Sequence, residues 1–312
     1  MHSEGLWAIT SYFNPVGYTH RRANYRLFRK HLAVPLVTVE LSFNGRFELT
    51  REDADILVQI RGSHVMWQKE RLLNIGVKWV PSACDKIAWL DCDIIFGSDE
   101  WVERAIRALD EFSLVHLFQE RHDLTRDAKP DQLSSWEIPP TSQSVLYKIA
   151  RREATPEDLF LANAPLERRS SAGLAWASRR DVLEKHGIYD ACILGSGDRA
   201  ILCAALGKFD YGARALLMNP RRIEHYRLWA QPYFEAVRDR VGFIQGRLFH
   251  LWHGEIKDRQ YETRHRRLEE FDFDPFTDIA LARGGCWCWN SDKTELHAFA
   301  RAYFESRHED GG

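Results

Sequence analysis

The sequence predicts an α/β fold in which a central, mostly parallel β-sheet is flanked by helices. Strand-like apolar runs alternate with amphipathic helix-like runs through the first third of the chain, which is the pattern of βαβ units. The run "KIAWLDCDIIFG" at residues 86–97 has the apolar content of a strand that is covered on both faces. With 312 residues, 45% of them hydrophobic, the chain can form one large domain or two small ones.

The elements of the first third follow from apolar periodicity and turn residues. Tyr25, Phe28 and Leu32 recur on one face of a helix, and Ser98 can cap a helix that has two acids in its first turn. The predicted strands span 6–13, 35–43, 54–62 and 86–97. The predicted helices span 20–32, 66–77 and the residues that follow Ser98.

The remainder of the chain is less regular at first and then regains order. Residues 121–170 are rich in proline, and we expect them to cover a binding cleft or to connect two halves. Residues 171–187 predict a strand and a helix, and 195–207 predict a glycine-rich turn that opens a helix. We therefore expect a catalytic domain over 1–254 and a C-terminal extension over 255–312 that packs on it.

Composition excludes several classes of protein. The net charge of −2 does not suit a protein that coats nucleic acid or an anionic membrane. Local basic clusters at 21–22, 221–222 and 264–267 fit solvated helix faces, with a phosphate site as the alternative. Six scattered cysteines do not form a disulfide framework. Since no signal peptide or transmembrane stretch is evident, we expect a soluble, cytoplasmic protein.

Asp91 and Asp93 interrupt the apolar run at 86–97. Alternate side chains of a strand point the same way, so both carboxylates should face one side. Burying such a pair is costly unless a cation holds it, and oxygen ligands suit a divalent ion that also binds substrate phosphates. The alternative is that one aspartate is solvated beyond the strand end and the other caps a turn. Ligands of open α/β sheets bind beyond the carboxyl ends of the strands, where this pair is expected.

Asp198 and His253 are further candidates. Asp198 follows Gly-Ser-Gly and is a candidate both for the cap or first turn of the next helix and for a general base that deprotonates a hydroxyl, two roles that one residue can combine. His253 is either a metal ligand or a structural histidine. If residues 247–254 end a strand, His250 and His253 should point apart. A zinc site formed by these two histidines with Cys286 and Cys288 is the rival arrangement, although its Cys-x-Cys spacing is unusual.

Four segments, in order, resemble nucleotide-sugar-dependent glycosyltransferases of the GT-A fold. They are "SYFNPVGYTHRRANYRLF", "KIAWLDCDIIF", "GSGDRA" and "HLWHG", and they cover about residues 6–254. The resemblance implies that Asp91 and Asp93 chelate Mn²⁺ or Mg²⁺ at the donor diphosphate, with His253 as a third ligand. It also implies that Asp198 is the base of an inverting reaction, while a retaining reaction, which needs no such base, stays open. The Gly-Ser-Gly-Asp turn departs from the tryptophan-rich turn with paired acids of commoner members.

The same resemblance places donor contacts near the first strands. Tyr12 and Asn14 stand where the family holds the nucleobase. Arg61 and Lys69 are candidates for the donor phosphates, and Arg71 lies on the same helix as Lys69. Two tryptophans are candidate sugar-stacking platforms, or else core residues: Trp176 and Trp229.

The leading hypothesis is a metal-dependent glycosyltransferase that moves a sugar from a UDP-sugar or related donor to an acceptor hydroxyl. A sugar-nucleotidyltransferase is the first alternative, although the N-terminal loop is a poor match for a triphosphate site. A two-carboxylate glycoside hydrolase and a non-catalytic carbohydrate- or nucleotide-binding protein are the others. The acceptor is left open between a glycan, a protein, a small molecule and a modified nucleic-acid base.

Overall fold

A computed structural model describes residues 5–128, 138–155, 170–261 and 263–311. Three of the prolines in the irregular segment, Pro130, Pro156 and Pro165, lie outside the described residues. No helix in the described ranges has both the length and the apolar character needed to cross a bilayer.

The centre of the molecule is a seven-stranded sheet. Its strands, from one edge to the other, are β11 (Val241–Phe243), β6 (Leu114–His116), β10 (Ala175–Arg179), β4 (Lys86–Leu90), β1 (Trp7–Phe13), β2 (Leu36–Ser42) and β3 (Ile56–Arg61). Strands β4, β1, β2 and β3 are mutually parallel, whereas β10 runs antiparallel to β4 and β6. The predicted α/β class with a mostly parallel central sheet is confirmed.

Both faces of this sheet are buried at β1, β2 and β4, which explains the near-continuous apolar runs of these strands, whereas the edge strand β3 is partly exposed. Ile9 and Trp89 face one hydrophobic cluster, and their chain neighbours Ala8 and Leu90 face the other. The C-terminal part of the chain contributes to the first cluster through residues such as Phe299. The division of the chain at residue 254 stays a prediction.

A second sheet of five strands lies beside the first. Its order is β5 (Ile94–Phe96), β12 (Arg247–His250), β7 (Glu120–Asp123), β8 (Ser142–Ser144) and β9 (Ser170–Ser171). A hairpin of β13 (Ile279–Leu281) and β14 (Trp287–Trp289) completes the strands of the described residues.

The helices of the described residues cover both faces of the central sheet. They span Thr19–Lys30, Lys69–Val77, Glu100–Glu111, Val145–Ala150, Arg180–His186, Gly197–Ala205, Phe209–Ala215, Pro220–Val237, Arg264–Glu269 and Thr294–Glu305, with a 3₁₀ turn at Ile256–Arg259. The helix after Ser98 begins at Glu100, whose N–H donates to the Ser98 hydroxyl at 3.3 Å. The predicted helices of the first third are therefore present with shifted ends.

The single strand predicted over 86–97 is wrong. Strand β4 ends at Leu90, residues 91–93 leave the central sheet, and the chain resumes as β5 in the second sheet. The backbone N–H of Asp91 donates to the Leu174 carbonyl at 2.8 Å, next to the pair Leu90–Ala175, and the chain leaves the central sheet after this bond. Carboxylates inside a strand covered on both faces would have no solvent or partner. At the break between the sheets they reach a cavity.

Candidate functional site

A cavity of about 270 Å³ lies at the carboxyl ends of β1 and β4. This is where open α/β sheets bind ligands. Five residues singled out from the sequence line it: Lys69, Asp91, Asp93, Asp198 and His253. Residues that are far apart in the chain therefore meet in one cleft.

Asp93, His250 and His253 converge at one end of this cavity. One ligand atom from each lies within 4.8 Å of the others, and all three side chains are buried or nearly so. The Nε2 atoms of the two histidines are 3.0 Å apart, and Oδ2 of Asp93 is 3.3 Å from Nε2 of His253. Two imidazoles and one carboxylate at this spacing can hold a divalent metal ion.

The convergence of the two histidines corrects the expectation that they point apart. Strand β12 ends at His250, and the chain then turns at Gly254, whose φ of +91° lies in the region that favours glycine. The N–H of Leu251 donates to the Asp93 carbonyl at 2.8 Å, which ties this turn to the break between the sheets. The spacing His-x-x-His was the signal for His250, which was weighed only as a zinc ligand.

A carboxylate stands behind His250. Oδ1 of Asp123 lies 3.0 Å from Nδ1 of His250, and Arg121 donates to both oxygens of Asp123 at 2.6 and 2.9 Å. With Nδ1–H donated to Asp123, Nε2 is left with its lone pair towards Asp93 and His253. Burial, reinforced by Arg121, lowers the pKa of His250, and burial lowers the pKa of His253 still further. Both imidazoles are therefore neutral near pH 7, as metal ligands must be.

Asp91 is held by Lys69 and is not part of the group formed by Asp93 with the histidines. The Lys69 ammonium lies 2.5 Å from Oδ1 of Asp91 and 2.8 Å from Oδ2 of Asp198. Burial raises the pKa of Asp91 to about 7, although Lys69 opposes this. Burial alone would lower the pKa of Lys69, but the two carboxylates outweigh it and raise that pKa well above its usual value. Lys69 is thus a charged bridge between Asp91 and Asp198.

Asp198 is the second residue of the helix Gly197–Ala205. In the described structure, its side chain bonds to Lys69 through Oδ2, while the buried Oδ1 has no hydrogen-bond partner. The Gly173 backbone approaches so closely that an added Cβ would lie 2.6 Å from Asp198 Oδ2. Asp198 thus lines the cavity, and its Oδ1 is the carboxylate oxygen without a partner among the described residues.

Tyr12 and Asn14 line a separate cavity of about 190 Å³ beyond the ends of β1 and β2. The Tyr12 hydroxyl donates to Glu48 at 2.6 Å, and the Asn14 amide donates to the same carboxylate at 3.0 Å. Burial, with a contribution from Glu48, raises the pKa of Tyr12, so the phenol stays protonated. Glu40 and Glu48 also line this cavity.

Arg61 and Arg71 do not line the large cavity as the structure describes it. The exposed Arg61 lies over the ring of Phe47 at 5.2 Å, at the end of β3. Arg71 lies on the same helix as Lys69 and donates to Asp190 at 3.0 Å. The structure thus brings Lys69 into the cleft and leaves the two arginines outside its lining.

The proposed sugar platforms and the zinc alternative are not assembled by the fold. Trp176 is buried in the central sheet, stacked on His116 at 4.1 Å, and Trp229 stacks on Tyr233 at 4.5 Å among the helices. Within the described residues, the group that could hold a metal ion contains neither Cys286 nor Cys288. These two cysteines lie at and next to β14, which pairs with β13.

A set of arginines in the cavity lining was not identified from the sequence. They come from the first helix, from β7, from the helix of Asp198 and from the C-terminal part of the chain: Arg21, Arg121, Arg199, Arg259, Arg264 and Arg307. The basic clusters at 21–22 and 264–267 were the available signal, but they fit solvated helix faces equally well. Trp67, which stacks on Phe304, and Tyr261 complete this wall.

Comparison with known proteins gives only distant similarities. No protein-family model matches the chain, and no curated protein matches its sequence. The chain is similar to S. aureus TarS 1-349 in complex with UDP, at 10% identity over 97% of this chain and 71% of that chain, with a TM-score of 0.38. It is similar to glucosyl-3-phosphoglycerate synthase from Mycobacterium tuberculosis in complex with Mn²⁺, UDP and glucosyl-3-phosphoglycerate, at 9% identity over 80% of this chain and 72% of that chain, with a TM-score of 0.37. A 4-diphosphocytidyl-2C-methyl-D-erythritol synthase from Anaerococcus prevotii is similar at 10% identity over 78% of this chain and 89% of that chain, with a TM-score of 0.36. At these identities and TM-scores, the similarities assign no activity to the chain.

Proposed function

We propose that the protein is a metal-dependent GT-A glycosyltransferase, which transfers a sugar from a nucleotide-diphosphate sugar to an acceptor hydroxyl. The observation that carries this proposal is the convergence of Asp93, His250 and His253 in one cavity with the carboxylate of Asp198. One end of the cleft thus has ligands for a cation that binds a diphosphate, and the same cleft contains a base. The sequence resemblance supports the same activity.

The donor set fits a divalent metal ion. Oδ1 of Asp93 and Nδ1 of His253 are buried without a hydrogen-bond partner in the described structure, and the two imidazoles are neutral. Two nitrogens and one carboxylate favour Mn²⁺ over Mg²⁺, which prefers oxygen ligands. Such an ion, held by Asp93, His250 and His253, would act as a Lewis acid that stabilises the diphosphate leaving group.

The transfer step needs a base for the acceptor. The unpaired Oδ1 of Asp198 takes the proton of the acceptor hydroxyl, while the oxygen of that hydroxyl forms a bond to the anomeric carbon of the donor sugar. The bond from that carbon to the donor phosphate breaks, and the nucleoside diphosphate leaves with the electron pair. Lys69 keeps Asp198 in place through its ammonium, 2.8 Å from Oδ2. Attack from the side opposite the leaving group inverts the anomeric centre.

The nucleotide base belongs in the smaller cavity. Tyr12 and Asn14 line it together with Glu40 and Glu48, and it lies beyond the carboxyl ends of neighbouring parallel strands. The wall contains oxygen acceptors for the single N–H of uracil, and donors such as Asn44 and Arg46 for its two carbonyls. We therefore propose a UDP-sugar as the donor. Asp91 would contribute to donor binding indirectly, by holding the Lys69 ammonium in the cleft.

Binding of UDP with and without Mn²⁺ tests the donor site. By titration calorimetry, the protein should bind UDP more tightly with Mn²⁺ than with a chelator, and Asp93→Asn or His250→Gln should remove that difference. Asp110→Asn and His308→Gln change the same side-chain types at exposed positions and should behave as the unchanged protein. An affinity for UDP that is unchanged by the chelator and by both substitutions would contradict the metal site.

Turnover tests the base and separates the alternatives. In a screen of nucleotide sugars, Asp198→Asn should keep UDP and Mn²⁺ binding but lose transfer by about 100-fold or more. Near-normal transfer by this variant overturns the assignment of the base. Release of pyrophosphate from a nucleoside triphosphate and a sugar phosphate would instead indicate a sugar-nucleotidyltransferase.

A further inference from the structure

The arginines of the cavity wall fall into two groups. Arg21 and Arg307 share the carboxylate of Glu309, and Arg121 is paired with Asp123. A second group of three arginines has no carboxylate partner in the part of the chain that the structure describes: Arg199, Arg259 and Arg264.

The second group is buried enough for its charge to matter. Arg259 and Arg264 are only 6% and 3% exposed, and the Nε of each has no hydrogen-bond partner among the described residues. Burial, with the neighbouring Arg264, lowers the pKa of Arg199. Buried guanidiniums are costly unless an anion compensates them. Among the described residues, these charges have no carboxylate that compensates them, so an anionic ligand would stabilise the wall.

Two of these arginines line the cavity near the turn that precedes the helix of Asp198, and they lie close to each other. Arg264 donates to the Ser196 hydroxyl and to Tyr303, and Arg199 directly follows Asp198 in the chain. Arg259 lies nearer the opposite end, since after burial it is the strongest influence that lowers the pKa of His253. The metal end and the base end thus each have their own unpaired cations.

A donor alone does not account for all of these charges. A divalent cation on Asp93, together with Arg259, already offsets that carboxylate and the diphosphate of a nucleotide sugar. Arg199 and Arg264 then remain, in the same cavity as the carboxylate that would deprotonate the acceptor. Paired guanidiniums are suited to phosphate and carboxylate groups, which they bind with charge-assisted hydrogen bonds.

We propose that the acceptor is an anionic alcohol, with its phosphate or carboxylate group bound by Arg199 and Arg264 and its hydroxyl directed to Asp198. This inference rests on the proposed function and specifies the class of its acceptor. Ser196 supports the arrangement, because it adopts a left-handed backbone conformation (φ +72°) while its hydroxyl contacts Arg264 and His265. Such strain in a non-glycine residue is characteristic of functional sites.

Three small alcohols test the proposal: glycerol 3-phosphate, glycerate and glycerol. Each is titrated by calorimetry into the full chain saturated with UDP and Mn²⁺, at constant ionic strength. Glycerol 3-phosphate or glycerate should bind and glycerol should not, and the stronger of the two anions identifies the group. Arg199→Gln should weaken that binding by at least about tenfold, and Arg199→Lys should restore part of it. Arg107→Gln, at an exposed position of another helix, is the charge-matched control and should have no effect.

The outcomes separate this inference from the proposed function. Equal binding of glycerol and the anions, unchanged affinity in Arg199→Gln, or loss of anion binding when UDP and Mn²⁺ are added each overturns the acceptor subsite. Anion binding that depends on Arg199 without any binding of UDP keeps the anion subsite and removes the glycosyltransferase. Because Arg264→Gln also breaks the contacts with Ser196 and Tyr303, it is used only if its melting temperature is unchanged.

Discussion

Nδ1 of His250 lies 3.0 Å from Oδ1 of Asp123, so a carboxylate orients the imidazole from the side opposite the proposed metal. Asp123 is itself held by Arg121, and the three side chains form a chain of contacts from β7 to β12. Burial would raise the pKa of Asp123, but His250 and Arg121 lower it by more, so the residue remains a carboxylate. Such partners fix the tautomer of a metal-binding histidine.

Asp123→Asn should therefore weaken Mn²⁺ binding by about 10- to 100-fold, because the amide no longer favours the tautomer with a free Nε2 on His250. Direct titration of Mn²⁺, followed by electron paramagnetic resonance, measures the effect. Glu120→Gln, on the same strand and outside the lining of the large cavity, is the matched control. An unchanged Mn²⁺ affinity in Asp123→Asn would remove Asp123 from the site.

Lys69→Met should lower the free energy of unfolding by about 3 kcal/mol, because it leaves the buried carboxylates of Asp91 and Asp198 without their cation. Adding Asp91→Asn and Asp198→Asn to this variant removes the uncompensated charges and should recover much of the loss. Urea denaturation at pH 8 gives the comparison. If the triple variant is no more stable than Lys69→Met, repulsion between these carboxylates is not the cause.

Glu309 makes stability depend on pH. Burial would raise its pKa, but Arg21 and Arg307 outweigh burial and lower that pKa from 4.5 to about 2. The ion pairs therefore contribute fully above pH 4.5, and their contribution of about 3 kcal/mol is lost as the pH falls from there towards 2. Urea denaturation across this range should show a shallower decline for Glu309→Gln than for the unchanged chain. Parallel curves would contradict this.

Gly173→Ala should reduce transfer by about 100-fold without loss of UDP and Mn²⁺ binding. The added Cβ would lie 2.6 Å from Oδ2 of Asp198 and must displace that carboxylate, and small misplacements of catalytic groups are costly. Steady-state kinetics with the active nucleotide sugar measure kcat. Gly5→Ala, whose Cβ would meet Ile106 at an ordinary 3.7 Å, serves as the control. A normal kcat in Gly173→Ala separates Asp198 from the chemistry.

The parallel core was predictable because β1, β2 and β4 are buried on both faces and have nearly continuous apolar sequences. Strands β1, β2 and β3 lie within the predicted ranges, with ends that differ by one or two residues. The break after Leu90 was not predictable, because the apolar residues on either side of it belong to two different sheets. Apolar periodicity predicts that a segment is buried, but it does not predict to which sheet the segment belongs.

The aspartates of the candidate site were predictable from the sequence, whereas its arginines were not. Asp91, Asp93 and Asp198 were conspicuous because acids are rare beside buried segments and glycine-rich turns. Arg259, Arg264 and Arg307 come from a C-terminal region whose charges resemble those of any surface helix, and only the tertiary fold turns them inward. His250 joined His253 because the chain bends directly after β12, which residue spacing alone does not specify.

The short connection at residues 91–93 has a mechanical consequence. It joins the last residue of β4 to the first residue of β5 by only three residues. Asp91, which pairs with Lys69, and Asp93, the proposed metal ligand, therefore lie on one short connection between the two sheets. A change in the angle between the two sheets would therefore change the distance between the proposed metal ligands and Lys69. Substitution of Leu248 or Phe96, the β5–β12 pair farthest from Asp93 and His250, should therefore weaken Mn²⁺ binding.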